Sequence, residues 1–223
     1  MSKGRGIFQP NIEAFLSNFD KNLDGNIGAF QQEAYDEGYP IISQDVAMFL
    51  NMILKIKKPK AILEVGCAIG FSASFFAGVA CQVTTIERYG HMANLARKNF
   101  EARGISHKIR LIEEDAKTAL PKLVADEERF DFIFLDCAKG QYVNLLLHAL
   151  ELLEGGGILC VDDILQDATI AKPREEIIKR QRTIHKNMQQ FLDDVMANPD
   201  LQSIILPIGD GLLFSIKGGI CSE

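Results

Sequence analysis

No stretch of the chain approaches the roughly 18 consecutive apolar residues that a membrane-spanning helix needs, so no membrane partner is expected. The opening run Met1-Ser2-Lys3-Gly4-Arg5-Gly6 leads into no apolar signal region, which predicts a cytoplasmic protein. Cys-x-x-Cys pairs are missing: Cys67, Cys81, Cys137, Cys160 and Cys221 lie scattered, mostly inside apolar runs, and read as buried, reduced thiols. None of the four histidines is spaced with a cysteine as a ligand pair, so no zinc site is readable. Basic excess is lacking as well. With 24 Lys and Arg against 30 Asp and Glu the net charge is −6, which argues against nucleic-acid binding by the whole surface and leaves a local patch open. There is no repeat, no low-complexity tract and no sign of a second domain.

What the chain does have is 223 residues with 47% hydrophobic content, enough for one α/β domain with a full core. Residues 1–58 read as a helical decoration and residues 59–223 as an α/β core. Ile12, Phe15, Leu16, Phe19 and Leu23 predict a helix over Asn11–Leu23, followed by helices over Ile27–Asp36 and Asp45–Lys55, the last with Ser43 as its cap. Strands and helices then alternate in the pattern of a parallel doubly wound sheet. The predicted strands are Ala61–Val65, Gln82–Ile86, Lys108–Ile112, Phe130–Leu135 and Ile158–Val161, closed by a hairpin of Ser203–Pro207 and Leu212–Lys217. A helix over Ala116–Val124 and a long one over Arg174–Ala197 complete the layout, the latter with Ile177, Ile184, Met188, Phe191 and Val195 as its core stripe.

The stretch Lys60 to Ser72 organises the rest. A strand meets Gly66-Cys67-Ala68-Ile69-Gly70, and Ser72 begins a small-residue helix, a turn that lets a nucleotide-like ligand approach the backbone. A dinucleotide fingerprint requires Gly-x-Gly-x-x-Gly; here the middle glycine is absent, which disfavours hydride chemistry. Glu64 interrupts the apolar strand near its end, where a carboxylate is unfavourable without a partner. Glu87 ends the next strand about 20 residues further on, where ribose hydroxyls are held in nucleotide-binding α/β folds. Asp115 and Ala116 follow the third strand, either at an adenine-contacting turn or as the cap of the next helix. This wide turn with an acid before it resembles the S-adenosylmethionine site of class I methyltransferases. The fold class expected is α/β, a Rossmann-like seven-stranded class I methyltransferase sheet with amino-terminal helices.

Ligands of open α/β sheets sit beyond the carboxyl ends of the strands, and the fold would gather Glu64, Glu87, Asp136, Asp162 and Asp163 there. Three carboxylates on two neighbouring strands repel one another, and a hard divalent cation with oxygen ligands, most simply Mg²⁺, resolves the repulsion. The alternative is that the acids cap helices or face water.

Leu63-Glu64-Val65-Gly66-Cys67-Ala68-Ile69-Gly70-Phe71-Ser72, Leu135-Asp136-Cys137-Ala138-Lys139, Val161-Asp162-Asp163 and Pro207-Ile208-Gly209-Asp210-Gly211-Leu212 together resemble the cation-dependent O-methyltransferases of the catechol and caffeoyl-coenzyme A type. The likeness covers nearly the whole chain. It implies S-adenosyl-L-methionine as cofactor, contacted by Glu64, Gly66, Cys67, Ala68, Gly70, Ser72, Glu87, Asp115, Ala116 and Asp136. It also implies a metal on Asp136, Asp162 and Asp163, and Lys139 with Asp136 as catalytic residues, Lys139 as general base; near a bound cation its pKa should be depressed. Lys139 paired with Asp136 as a structural ion pair is the competing role. Asp163 stands where the family usually has asparagine, and Cys67 where it usually has threonine. Family members are commonly dimers, so a homodimer is expected.

Vicinal oxygens on the substrate are implied by metal chelation. A catechol has them, and so does 5-hydroxyuridine. The region from Pro40 to Glu64 looks most like the bacterial branch that methylates 5-hydroxyuridine at the tRNA wobble position. Lys172, Arg174, Lys179, Arg180, Arg182 and Lys186 form a basic segment after the metal acids, with Lys179, Arg182 and Lys186 on one helical face suited to tRNA phosphates. Lys55, Lys57, Lys58 and Lys60 form a second cluster. A basic stripe opposite a core stripe is also the ordinary solvated side of a helix. The expected partner is tRNA, with a small catechol-like molecule as the alternative substrate and a non-catalytic module binding RNA or a partner as the second alternative.

Overall fold

In the computed structural model, which describes residues 10–19, 23, 25–80 and 82–218, three helices precede the sheet: α1 (Pro10–Ser17), α2 (Gly25–Asp36) and α3 (Gln44–Lys57). The chain then runs β1 (Ala61–Val65), α4 (Phe71–Ala77), β2 (Gln82–Ile86), α5 (Gly90–Ala102), β3 (Ile109–Ile112), α6 (Ala116–Ala125), β4 (Phe130–Leu135), α7 (Tyr142–Leu152), β5 (Leu153–Val161), α8 (Arg182–Met196), β6 (Leu201–Leu206) and β7 (Leu212–Lys217). The strands form one seven-stranded sheet in the order β3-β2-β1-β4-β5-β7-β6, with β7 antiparallel to its neighbours and the first five strands parallel.

Two-residue periodicity splits each apolar strand between two layers. Ile62, Phe132, Phe134, Ile158 and Cys160 face one hydrophobic cluster, shared with Phe30 of α2, Leu50 and Leu54 of α3, and Phe76 of α4. Leu63, Val65, Ile133, Leu135, Leu159 and Val161 face the other, shared with Leu120 of α6, Tyr142 and Leu145 of α7, and Met188 and Phe191 of α8. α2 and α3 therefore bury their apolar residues in the sheet's own core, whereas Ile12 and Phe15 of α1 are exposed. Among the described residues no helix is long and apolar enough to cross a membrane.

The structure corrects several boundaries. The first helix stops at Ser17, and residues 20–22 of the longer expected span lie outside the described residues. Ser43 occupies the N-cap position of α3, but its hydroxyl donates to Asp45 rather than capping the helix. β5 begins at Leu153 and runs through Gly155, Gly156 and Gly157, residues that read as a turn before a strand at Ile158. The long helix predicted from Arg174 starts at Arg182. Before it come separate 3-10 turns at Arg174–Glu176 and Lys179–Gln181. The Arg182 guanidinium donates to the carbonyls of Ile177 (Nε, 2.9 Å) and Glu175 (Nη2, 3.3 Å), claiming acceptors that a continuous helix would use. Ile184, placed on the core stripe, is 39% exposed, and His185 is buried in its stead.

Candidate active site

The backbone ladder extends one residue past each strand and so sets the acids side by side. The amide of Glu87 donates to Ile112 O, that of Asp136 to Val65 O and that of Asp162 to Leu135 O, all at 2.9 to 3.0 Å. Glu64 lies one residue before the end of β1 on the same face as Ile62. The crevice beyond these strand ends is where ligands bind in an open α/β sheet.

On the β1–β2 side the glycine turn is fully formed. Gly66 has φ +106°, and a Cβ added there would sit 1.8 Å from the carbonyl oxygen of Asp136, so the turn presses against the end of β4. Gly70 has φ +86°, and a Cβ there would meet the Phe100 ring at 2.5 Å. Glu87 braces the turn: Oε2 accepts from the Ala68 amide (2.9 Å) and Oε1 from the Tyr89 amide (2.8 Å). Glu64 is buried, with Oε2 accepting from the Thr85 hydroxyl and Oε1 without a hydrogen-bond partner. Burial lifts its pKa to about 7, against the Ser72 and Thr85 hydroxyls, which pull it down. An orphaned buried acceptor beside a glycine turn fits hydroxyl or ammonium donors of a nucleoside-type cofactor. Asp115 caps α6 by accepting from the Lys117 amide (2.9 Å), with Ala116 the first helical residue. It lies 3.8 Å from Arg88, and Arg88, Asp115 and Glu87 all act electrostatically on Cys137, so these residues share one rim.

The β4–β5 side is crowded with charge. Burial, reinforced by Asp163 and opposed by Lys139, raises Asp136 to about 7. Burial also raises Asp162, reinforced by Asp136 and Asp163, while the Asp163 amide donates to Asp162 Oδ1 at 2.8 Å. Asp163, in a left-handed conformation with φ +61°, is raised by burial and by Asp210 in spite of Lys139. The three expected metal acids are therefore neighbours. Among the described residues, however, no group of three His, Cys, Asp or Glu side chains is arranged to hold a metal ion. The donor chemistry, three carboxylates with a single ammonium group beside them, fits a divalent cation, and the side-chain arrangement is not that of a closed site.

Lys139 does not pair with Asp136. Its Nζ lies 3.4 Å from Asp163 and 3.2 Å from Asp210. Burial pulls its pKa down, but the two carboxylates outweigh burial and leave it above the ordinary lysine value; the depressed value is the expectation for Lys139 beside a bound cation. Tyr142 ties the strand ends together, its buried hydroxyl donating to Asp162 O (3.2 Å) and accepting from the Cys137 amide (3.3 Å). Asp45 and Tyr142 have no site role in the sequence reading, and Asp210 enters it only as part of the motif at residues 207–212. The flanking glycines of Gly209-Asp210-Gly211 were the available signal for Asp210.

The basic residues are not a helical face. Lys172, Arg174, Lys179 and Arg180 are exposed along the 3-10 turns, Arg182 is half-buried in its carbonyl contacts, and of the expected stripe only Arg182 and Lys186 stand on α8. The start of α8 nevertheless packs on the Lys139 turn, with Asn187 Nδ2 donating to Gly140 O at 3.4 Å.

A seven-stranded sheet with one reversed strand, and an acid-lined crevice beyond a glycine turn, has the fold of the S-adenosylmethionine-dependent methyltransferases. Within that class the family is also defined: the O-methyltransferase family profile matches residues 30–218, and the chain belongs to that family. Caffeoyl-CoA O-methyltransferase 1 of Arabidopsis thaliana is 28% identical over 182 residues, 76% of this chain and 68% of that protein. A candidate caffeoyl-CoA O-methyltransferase from Staphylococcus aureus superposes with a TM-score of 0.83 at 26% identity, covering 92% of this chain and 98% of the other. An O-methyltransferase from Bacillus cereus, solved with SAH, has the same fold at a TM-score of 0.78 and 22% identity, covering 93% and 97%.

Proposed function

We propose that this O-methyltransferase carries the methyl group of S-adenosylmethionine to the 5-hydroxyl of 5-hydroxyuridine at the tRNA wobble position, giving 5-methoxyuridine, with Mg²⁺ as a second cofactor. The observation that carries the reading is the crowding of Asp136, Asp162 and Asp163, each pushed up by burial and by its neighbours, at the strand ends beside the glycine turn. These three acids would hold the ion, and when bound it would supply the positive charge that acidifies a hydroxyl lying beside a second oxygen. The donor supplies an electrophilic methyl group on a sulfonium. Glu64, Ser72, Glu87 and the turn from Gly66 to Gly70 hold that donor, with Asp115 and Ala116 at the adenosine end.

Lys139 receives the substrate proton at Nζ. A charged ammonium cannot do so, and Asp163 and Asp210 hold it charged; whatever reduces the negative charge around Asp163 favours the neutral amine. The exposed cations at 172–180 precede α8, whose start packs on the Lys139 turn, so phosphates bound there would bring a nucleotide toward the base. Phe15 and Phe19 of the amino-terminal region, 60% and 65% exposed, support a homodimer as part of the same reading.

A small catechol-like acceptor is the second reading, favoured by the caffeoyl-CoA O-methyltransferases among the relatives. Methyl transfer from labelled S-adenosylmethionine to hydroxyuridine-containing tRNA and to 3,4-dihydroxybenzoate, each with and without chelator, separates the two. Chelator-sensitive label in tRNA is expected; label in the benzoate alone makes this a small-molecule enzyme, and label that survives chelation removes the metal from the reading.

A further inference from the structure

We infer that Asp210 is a positioning residue for Lys139, a carboxylate on the closing hairpin that fixes where the ammonium group stands. The inference rests on the reading of Lys139 as the base. Lys139 sits on a short 3-10 turn, Lys139–Gln141, and carries a long side chain that nothing on its own turn restrains. Two carboxylates take its Nζ, Asp163 at 3.4 Å and Asp210 at 3.2 Å. Asp163 is itself 45% exposed and is one of the acids assigned to the metal, whereas the Asp210 side chain is 21% exposed and anchored on every side.

That anchoring is explicit in the hydrogen bonds. Asp210 Oδ1 accepts from the Asp167 amide at 2.7 Å, leaving Oδ2 for Lys139. Its carbonyl accepts from the Leu165 amide (2.9 Å), and the Gly211 carbonyl from the Ile164 amide (3.1 Å). On the other side the Gly209 amide donates to Asp45 Oδ2 at 2.8 Å, tying the hairpin to the start of α3. Both flanking glycines are left-handed, and a Cβ at Gly211 would lie 2.3 Å from Leu165 Cγ, so the turn admits only a residue without a side chain there. A turn pinned to α3, to the loop after β5 and to itself presents one oxygen to one lysine. The carboxylate has no other described cation within ion-pair distance.

The test is a double-mutant cycle. Asp210→Asn keeps an Oδ1 acceptor for the Asp167 amide and removes the acceptor for Lys139, so it breaks the one contact and spares the turn. Single-turnover methyl transfer to hydroxyuridine tRNA and to 3,4-dihydroxybenzoate is measured for wild type, Asp210→Asn, Lys139→Gln and the double variant. A misplaced base lowers the rate of the chemical step roughly 10- to 100-fold while KM stays within about twofold, and in the Lys139→Gln background the same change should have no further effect. An undiminished loss in that background overturns the positioning role while leaving Lys139 as the base; full activity of Lys139→Gln overturns the base itself. Independently of any acceptor, a crystal structure of Asp210→Asn should show Lys139 Nζ displaced from Asp163, and an unmoved ammonium group overturns the inference. Asp210→Ser, which also offers an acceptor to the Asp167 amide, repeats the cycle if Asp210→Asn does not fold.

Discussion

The two halves of the crevice are built on opposite terms. On the β1–β2 side nearly every polar group has its partner within the chain: Glu87 uses both oxygens on backbone amides, and Gly66 lies against the end of β4. On the β4–β5 side Asp163 raises Asp136, both raise Asp162, and Asp210 raises Asp163, with Lys139 the one described cation acting against them, and left-handed residues recur at Asp163, Gln166, Asp167 and Ala168. A preformed cradle suits a cofactor that is the same in every turnover. Strain and unbalanced charge suit the half that meets a substrate.

The largest effect that would break this comparison is at Asp136. Asp136→Ala should reduce methyl transfer on the order of 10³-fold, because several kcal/mol of charge stabilisation goes with the carboxylate, while the melting temperature holds or rises as a buried like charge leaves. Unchanged turnover with labelled S-adenosylmethionine would show the acid cluster to be structural. On the other side, Gly66→Ala should destabilise the fold by about 2–4 kcal/mol in denaturant unfolding, since its Cβ would overlap the Asp136 carbonyl in a backbone conformation that disfavours side chains.

Glu64 is the exception in the well-satisfied half, and its titration sharpens the contrast. The folded-state value of about 7 lies above the ordinary 4.5, so the folded protein holds a proton that the unfolded chain has released. Stability therefore falls as pH rises from about 4.5 through 7. Glu64→Gln should remove this dependence and stabilise the protein without cofactor at pH 8 by about 2–3 kcal/mol, with no gain below pH 4.5, while weakening S-adenosylmethionine binding by calorimetry. A variant no more stable than wild type at pH 8 and binding cofactor as wild type does would place Glu64 among inert core residues. The smallest effect belongs to the rim. Charge reversal at Lys179 and Arg180 should lower tRNA affinity and reduce the slope of log affinity against log salt by about 2, leaving transfer to a small catechol unaltered.

The same division governs what could be read in the sequence. β1, β2, β4 and β7 were legible to the residue, because an apolar run between turn signals buried on both faces has few other meanings. Glu64, Glu87, Asp136, Asp162 and Asp163 followed, since strand ends fix their place. β5 was shortened because Gly155, Gly156 and Gly157 carry no side chains to mark a strand, although the ladder with β4 runs from Leu153. The helix over Arg174–Ala197 failed at Arg182, whose side chain competes for backbone carbonyls five and seven residues back, a tertiary contact invisible to periodicity. Lys139 was found and its partner was not: Asp210 lies 71 residues away, and only the folded hairpin brings them together.

Tyr142 has an optical consequence. The chain contains no tryptophan and four tyrosines, and this one is buried with its phenol wedged between the ends of β4 and β5, where Asp136, Asp163 and Asp162 all act on it. Its near-ultraviolet absorption is thus a native reporter inside the acid cluster, so the arrival of a cation or a proton there can be followed as a difference spectrum without any label.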